Sequence, residues 1–135
     1  MKKILFVLIG MLLLAGCTTE GVDSESLKGT VWVSNFGTTN YPTLVAIEFT
    51  GDSAVRSYFV DDYLTDISGT NGRKSGSYTK SGNTVTFNLK IFNIAHDYTC
   101  TKGTISGDRM VVTTLQFNSY ENKELEETHS FLRKL

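Results

Sequence analysis

The feature that most constrains this chain is a turn signal that recurs three times between runs of period-two alternation. Thr50-Gly51-Asp52-Ser53, Ser81-Gly82-Asn83-Thr84 and Ser106-Gly107-Asp108-Arg109 each separate two segments rich in Val, Thr, Phe and Tyr. Glycine reaches positive φ without strain and Asp or Asn tolerates the left-handed region, so these pairs suit tight hairpin loops. Around them, Val45, Ile47 and Phe49 alternate with Ala46, Glu48 and Thr50, while Val85, Phe87 and Leu89 alternate with Thr84, Thr86, Asn88 and Lys90. Met110 and Val112 share one face, Val111 and Thr113 the other. Period two with one polar face describes a half-buried antiparallel sheet.

The hairpins fall at 44–60, 76–90 and 97–117, and single strands at 30–36 and 128–135 bring the expectation to eight strands in an all-β domain. Longer links span 37–43, 61–75, 91–96 and 118–127. The last carries five charges in ten residues and is expected to hold a short surface turn of helix. Consecutive strands joined by hairpins make an antiparallel up-and-down meander, whose two edges vanish if the sheet closes into a barrel. A β-sandwich of the same strands is the competing architecture. Closure would pair the first strand with the last, setting the Arg133 guanidinium against the Trp32 indole and turning Lys134 to the other face.

The first 16 residues read as an address. Lys2 and Lys3 precede an apolar run from Ile4 to Leu14. As a helix that run is roughly 16 Å long, too short for a ~30 Å hydrocarbon core, and it matches the apolar region of a secretory leader. Leu14-Ala15-Gly16-Cys17 then resembles the lipobox of bacterial lipoproteins. That resemblance implies cleavage before Cys17, acylation of Cys17 with several chains (palmitate among them), and a membrane partner held through the lipid. Several chains are needed because one acyl chain anchors only marginally. Thr18 stands where an Asp would signal inner-membrane retention, so the outer membrane of the cell envelope is the expected location, on either face. Residues 17–26 form the acylated cysteine and a small, polar, flexible tether; the domain proper is 27–135.

Charge narrows the partners. The chain has 13 Lys and Arg against 14 Asp and Glu, which leaves no basic excess for a nucleic-acid footprint. With Cys17 acylated, Cys100 has no disulfide partner and is expected to serve as a small core hydrophobe.

Both ends of the domain carry a family resemblance. Leu27-Lys28-Gly29-Thr30-Val31-Trp32 opens it and Phe131-Leu132-Arg133-Lys134-Leu135 closes it. Gly76-Ser77-Tyr78, Gly82-Asn83-Thr84-Val85 and Gly103-Thr104-Ile105-Ser106-Gly107-Asp108 lie between. Together they resemble the small lipocalin-like, calycin-type lipoproteins of bacterial envelopes, with two residues between Gly29 and Trp32 where that family has one. The resemblance implies a lipocalin-like barrel over 27–135. A fold shared by many functions does not supply an activity.

Catalytic signals are weak. Two histidines, His96 and His129, have no metal-ligand spacing, and no nucleophile elbow, phosphate loop or zinc-protease motif occurs. Asp61, Asp62 and Asp66 lack the alternate oxygens of a calcium loop, because Tyr63 and Thr65 stand between them. The expectation is therefore a monomeric, non-enzymatic barrel without cofactor or metal. The aromatic set is more informative. An eight-stranded barrel is only just wide enough to be filled by side chains or to hold one small ligand. Tyr58, Tyr78 and Tyr98, with Phe87 beneath, are expected to line one shallow mouth for a small apolar ligand, with Ser57 and Thr114 leaving gaps. The alternative is a packed lumen whose loops contact a protein partner or inhibit an enzyme. Asp52-Ser53-Ala54 also resembles a short bacterial O-glycosylation sequon, which would put a glycan on Ser53 at a hairpin tip.

Overall fold

The computed structural model describes residues 25–92 and 97–135. The leader at 1–16, the acylation site Cys17, most of the tether and His96 lie outside the described residues.

Eight strands follow one another around a closed antiparallel barrel in chain order. They are β1 (Val31–Asn35), β2 (Leu44–Phe49), β3 (Ala54–Val60), β4 (Lys74–Ser81), β5 (Thr84–Ile91), β6 (Tyr98–Ser106), β7 (Arg109–Asn118) and β8 (Lys123–Arg133). The up-and-down barrel, and not the sandwich, is the fold. Gly82 and Gly107 take φ of 58° and 60° at the first loop position of the β4–β5 and β6–β7 hairpins, a region glycine enters at no steric cost.

The alternation read from the sequence sets the two faces. Val45, Ile47, Phe49, Val85, Phe87, Leu89, Met110 and Val112 all fall in one inward-facing core. On β5 the polar partners of these residues face solvent. On β1–β3 the outward Val31, Val33, Ala46, Tyr58 and Val60 form a second buried apolar cluster, with Leu44 and Leu64 packed against it. Cys100 is fully buried in the same core, and burial pushes its thiol pKa up to about 12, so it packs as a hydrophobe.

Two glycines let the wall close tightly. At Gly76 a Cβ would come within 2.2 Å of the Asn88 carbonyl oxygen, so β5 passes where no side chain fits. At Gly103 it would meet Phe87 and Met110 at 3.0–3.1 Å.

Closure occurs at one end only. Trp32 pairs with Arg133 and Val33 with Leu132, as expected for first and last strands, and the pairing stops there. The guanidinium does not stack on the indole: Arg133 Nε donates to the Leu135 carbonyl and Nη1 lies 3.8 Å from Glu25. Trp32 Nε1 instead donates to Thr30 Oγ1 at 2.9 Å, and Thr30 in turn bonds the Leu27 carbonyl. Leu27 and Trp32 plug this lower end, where the chain enters the barrel.

One expected loop is strand. The link at 118–127 contains a four-residue turn (119–122), with Asn118 Oδ1 accepting from the backbone N–H of Tyr120 and Glu121 and Asn122 at φ 50°. From Lys123 the chain pairs with β7 without interruption. The charges there face solvent or the barrel rim, where a strand tolerates them as well as a helix does.

Candidate functional site

The four residues expected at a single mouth are spread over the molecule. Period two on β3 decides Tyr58: Val55 and Phe59 join the inner core and Ser57 is buried between them, so Tyr58 points outward. It packs on the outer face with Val31, Val33, Ala46 and Val60, and the Arg56 guanidinium lies 5.3 Å from its ring centroid. Tyr78 points inward but in the lower half. Its ring meets Phe49 edge-on at 4.7 Å and its hydroxyl donates to the Gly51 carbonyl at 2.7 Å. Phe87 lies beside it, 6.0 Å from Phe49. Tyr98 stands at the opposite, upper end. Ser53 is exposed at the β2–β3 hairpin tip as expected; with Tyr78 and Phe87 it borders a shallow open recess of about 310 Å³ on the outside of the wall.

The lower and middle lumen is filled. Trp32, Phe49, Ile47, Leu89, Met110 and Phe131 are all at most 2% exposed. Ser57 leaves no gap either: its hydroxyl donates to the Lys90 carbonyl at 2.6 Å, tying β3 to β5.

At the upper end the lumen changes character. Phe36, just past β1, turns in and stacks on His129 of β8, with ring centroids 3.9 Å apart and planes 8° from parallel. Tyr98 of β6 meets both rings edge-on, at 5.4 Å from Phe36 and 5.8 Å from His129. Phe131 lies beneath, 6.0 Å from Phe36. Edge-on contacts at these separations are the favoured arrangement of aromatic rings.

Two buried polar atoms on β7 and β8 lack hydrogen bonds. Thr114 Oγ1 on β7 is fully buried and makes no hydrogen bond, and neither does His129 Nε2. The β7–β8 register places them diagonally, since Val112 opposes His129 and Thr114 opposes Glu127. The Glu127 carboxylate lies 3.4 Å from His129 Nε2, without the geometry of a hydrogen bond. Burial holds the His129 pKa below its ordinary value and Glu127 offsets part of that, so the ring is neutral at pH 7. Cys100 stands opposite Thr114 on β6 as a buried thiol whose pKa burial raises.

A buried hydroxyl on β7 and a buried imidazole nitrogen on β8, neither with a hydrogen bond, are the polar groups that this aromatic upper end offers to a bound molecule. Thr114 can donate or accept, and so can neutral His129, depending on tautomer. Among the described residues no group of three or more His, Cys, Asp or Glu side chains could hold a metal ion. In the sequence His129 is legible as inward-facing by its two-residue spacing from Phe131. Thr114 is legible as inward-facing in the same way, two residues past Val112, but its missing hydrogen-bond partner is not, because that exists only once the neighbouring strands are in place.

No known protein family, curated protein or solved structure matches this chain.

Proposed function

We propose that the protein is a lipid-anchored envelope lipoprotein, without enzymatic activity, whose barrel holds one small and largely apolar ligand at its upper end. The observation that carries this reading is the buried Thr114 Oγ1, which makes no hydrogen bond, on the strand next to the Phe36–Tyr98–His129 ring cluster, where His129 Nε2 is likewise buried and faces the Glu127 carboxylate at 3.4 Å. A buried polar atom left unpaired costs about 1–3 kcal/mol, a cost that a ligand's hydrogen bond removes. The ligand rests in the mouth and not in a deep lumen, because large side chains occupy everything below. The chain enters at the lower end, so an anchor on Cys17 attaches at the end of the barrel opposite this mouth.

Native mass spectrometry of the protein extracted from its own membranes tests the reading. The expected result is a single small molecule bound to the wild type and absent from Thr114→Val. A wild-type spectrum showing only the acylated chain would reject ligand binding. Labelled fatty acid on the wild type and none on Cys17→Ser tests the anchor.

A second reading has its own support. Tyr41, Tyr63 and Tyr120 are 82–99% exposed on three separate loops of the upper end. Such tyrosines suit a protein-interaction surface, which would work with no ligand bound.

A further inference from the structure

The seam of the barrel is incomplete, and the gap has a definite chemistry. Strand β8 pairs with β7 at ten positions but with β1 at only Leu132 and Arg133. Arg133 N donates to the Asp108 carbonyl on the β7 side, while Lys134 N donates to the Val31 carbonyl on the β1 side. In a regular strand successive residues direct their backbone groups to alternate neighbours. Glu124, Glu126, Thr128 and Ser130 therefore direct N–H and C=O toward β1, where among the described residues no backbone answers them. Pairing of β1 with β8 ends at Val33–Leu132, and Phe36, just past β1, turns in to stack on His129.

We infer that this edge of β8 receives an extended, basic peptide segment of a partner protein as an added strand. This inference is independent of the ligand reading and rests on the unpaired ladder. Strand addition to an open edge takes its affinity from backbone hydrogen bonds and its specificity from alternate side chains. Here the alternate side chains on the outer face begin with Glu124 and Glu126, both exposed and neither in an ion pair among the described residues. Lysines on the added strand would stand opposite these carboxylates, an arrangement that stabilises cross-strand pairs. Small or apolar residues between them would face the seam beside His129. A second copy of this chain fits less well: it would bring its own Glu124 and Glu126 to the ladder and no cation between them.

Amide hydrogen exchange on the full-length protein, followed by NMR with a synthetic decapeptide of alternating lysine and valine, tests the inference. In the free protein the amides of Leu125, Glu127 and His129 are expected to exchange slowly, and those of Glu124, Glu126, Thr128 and Ser130 fast. The lysine–valine peptide should slow the second set by about tenfold or more, and a glutamate–valine peptide should not. Glu124→Lys with Glu126→Lys should reverse that preference. Thr128→Pro, which removes one outward-facing amide and leaves the β7 ladder whole, should abolish the protection. The inference fails if both peptides act equally or neither acts. It fails also if the even-numbered amides are already slow in the free protein at every concentration, which would mean that the chain's own residues hold the edge. Protection that appears only as protein concentration rises would assign the edge to a second copy and overturn the basic partner.

Discussion

Replacing Thr114 by Val should stabilise the ligand-free protein. Valine keeps the β-branched shape and removes only the hydroxyl. Thr114 is fully buried and its Oγ1 has no hydrogen-bond partner, so the native state carries the desolvation of that group with nothing in return. An unpaired buried hydroxyl costs about 1–3 kcal/mol, and Thr114→Val should recover most of it. For a domain of this size about 1 kcal/mol moves Tm by about 4 °C, so the expected rise is roughly 4–10 °C. Val85 supplies the mirror experiment, since it is also β-branched and fully buried, in the apolar core on β5 opposite Gly103. Val85→Thr inserts a hydroxyl among apolar side chains and should lower Tm by a similar amount. Calorimetry on ligand-free protein, with urea unfolding as a second probe, measures both. A Thr114→Val variant no more stable than wild type would mean that the hydroxyl has a partner in solution. The upper end would then lose the feature that distinguishes it from an ordinary core. A stabilised variant that also loses its bound molecule is what a site kept at the expense of stability should give.

Other outcomes follow from the same geometry. Gly76→Ala forces a Cβ to within 2.2 Å of the Asn88 carbonyl, a backbone atom that cannot step aside. Its cost should reach or exceed the roughly 1–3 kcal/mol typical of overpacking, whereas Gly103→Ala, which meets the flexible Met110 side chain, should cost less; paired urea titrations compare them. Stability should fall with acidification just below pH 6.5. His129 has its pKa lowered in the fold, so the unfolded chain takes up the proton first as pH drops and the loss is complete once the folded ring is protonated; His129→Gln should flatten that segment of the profile. Asp66, whose carboxylate is held below its usual range because bonds from Ser68 and Arg73 outweigh the opposing effect of burial, acts in a separate window below about pH 4. Phe87→Trp lies in the packed lower lumen and should cost about 1–3 kcal/mol without altering binding at the upper end, as a co-purified ligand in the mass spectrum would show. Cys100, its thiol pKa pushed up to about 12, should resist alkylation at pH 8 until the protein is unfolded, as peptide mapping would report.

The sequence by itself determined the strands, their turns and which residues face inward. These are local properties: alternation follows from the two-residue period of a strand, and Gly82 and Gly107 announce hairpins because few other residues accept their φ. Even the Trp32–Arg133 pairing was legible, because a meander of eight strands has only one way to remove its edges. Tyr58 was legible too, since its parity opposes that of Ser57 and Phe59; expecting it beside Tyr78 and Tyr98 grouped tyrosines by kind and not by face. Tertiary structure alone decided the rest. Tyr78 and Tyr98 share the inward face but stand at opposite ends, because the distance between them depends on how β4 and β6 are staggered around the barrel. Which ring Phe36 stacks on was decided there too, since that ring lies 93 positions away in the chain. The unpartnered state of Thr114 Oγ1 is likewise a fact about β6 and β8, its neighbours in space. Burial, stagger and the absence of a hydrogen-bond partner are properties of the closed sheet, and they come into being only when it closes.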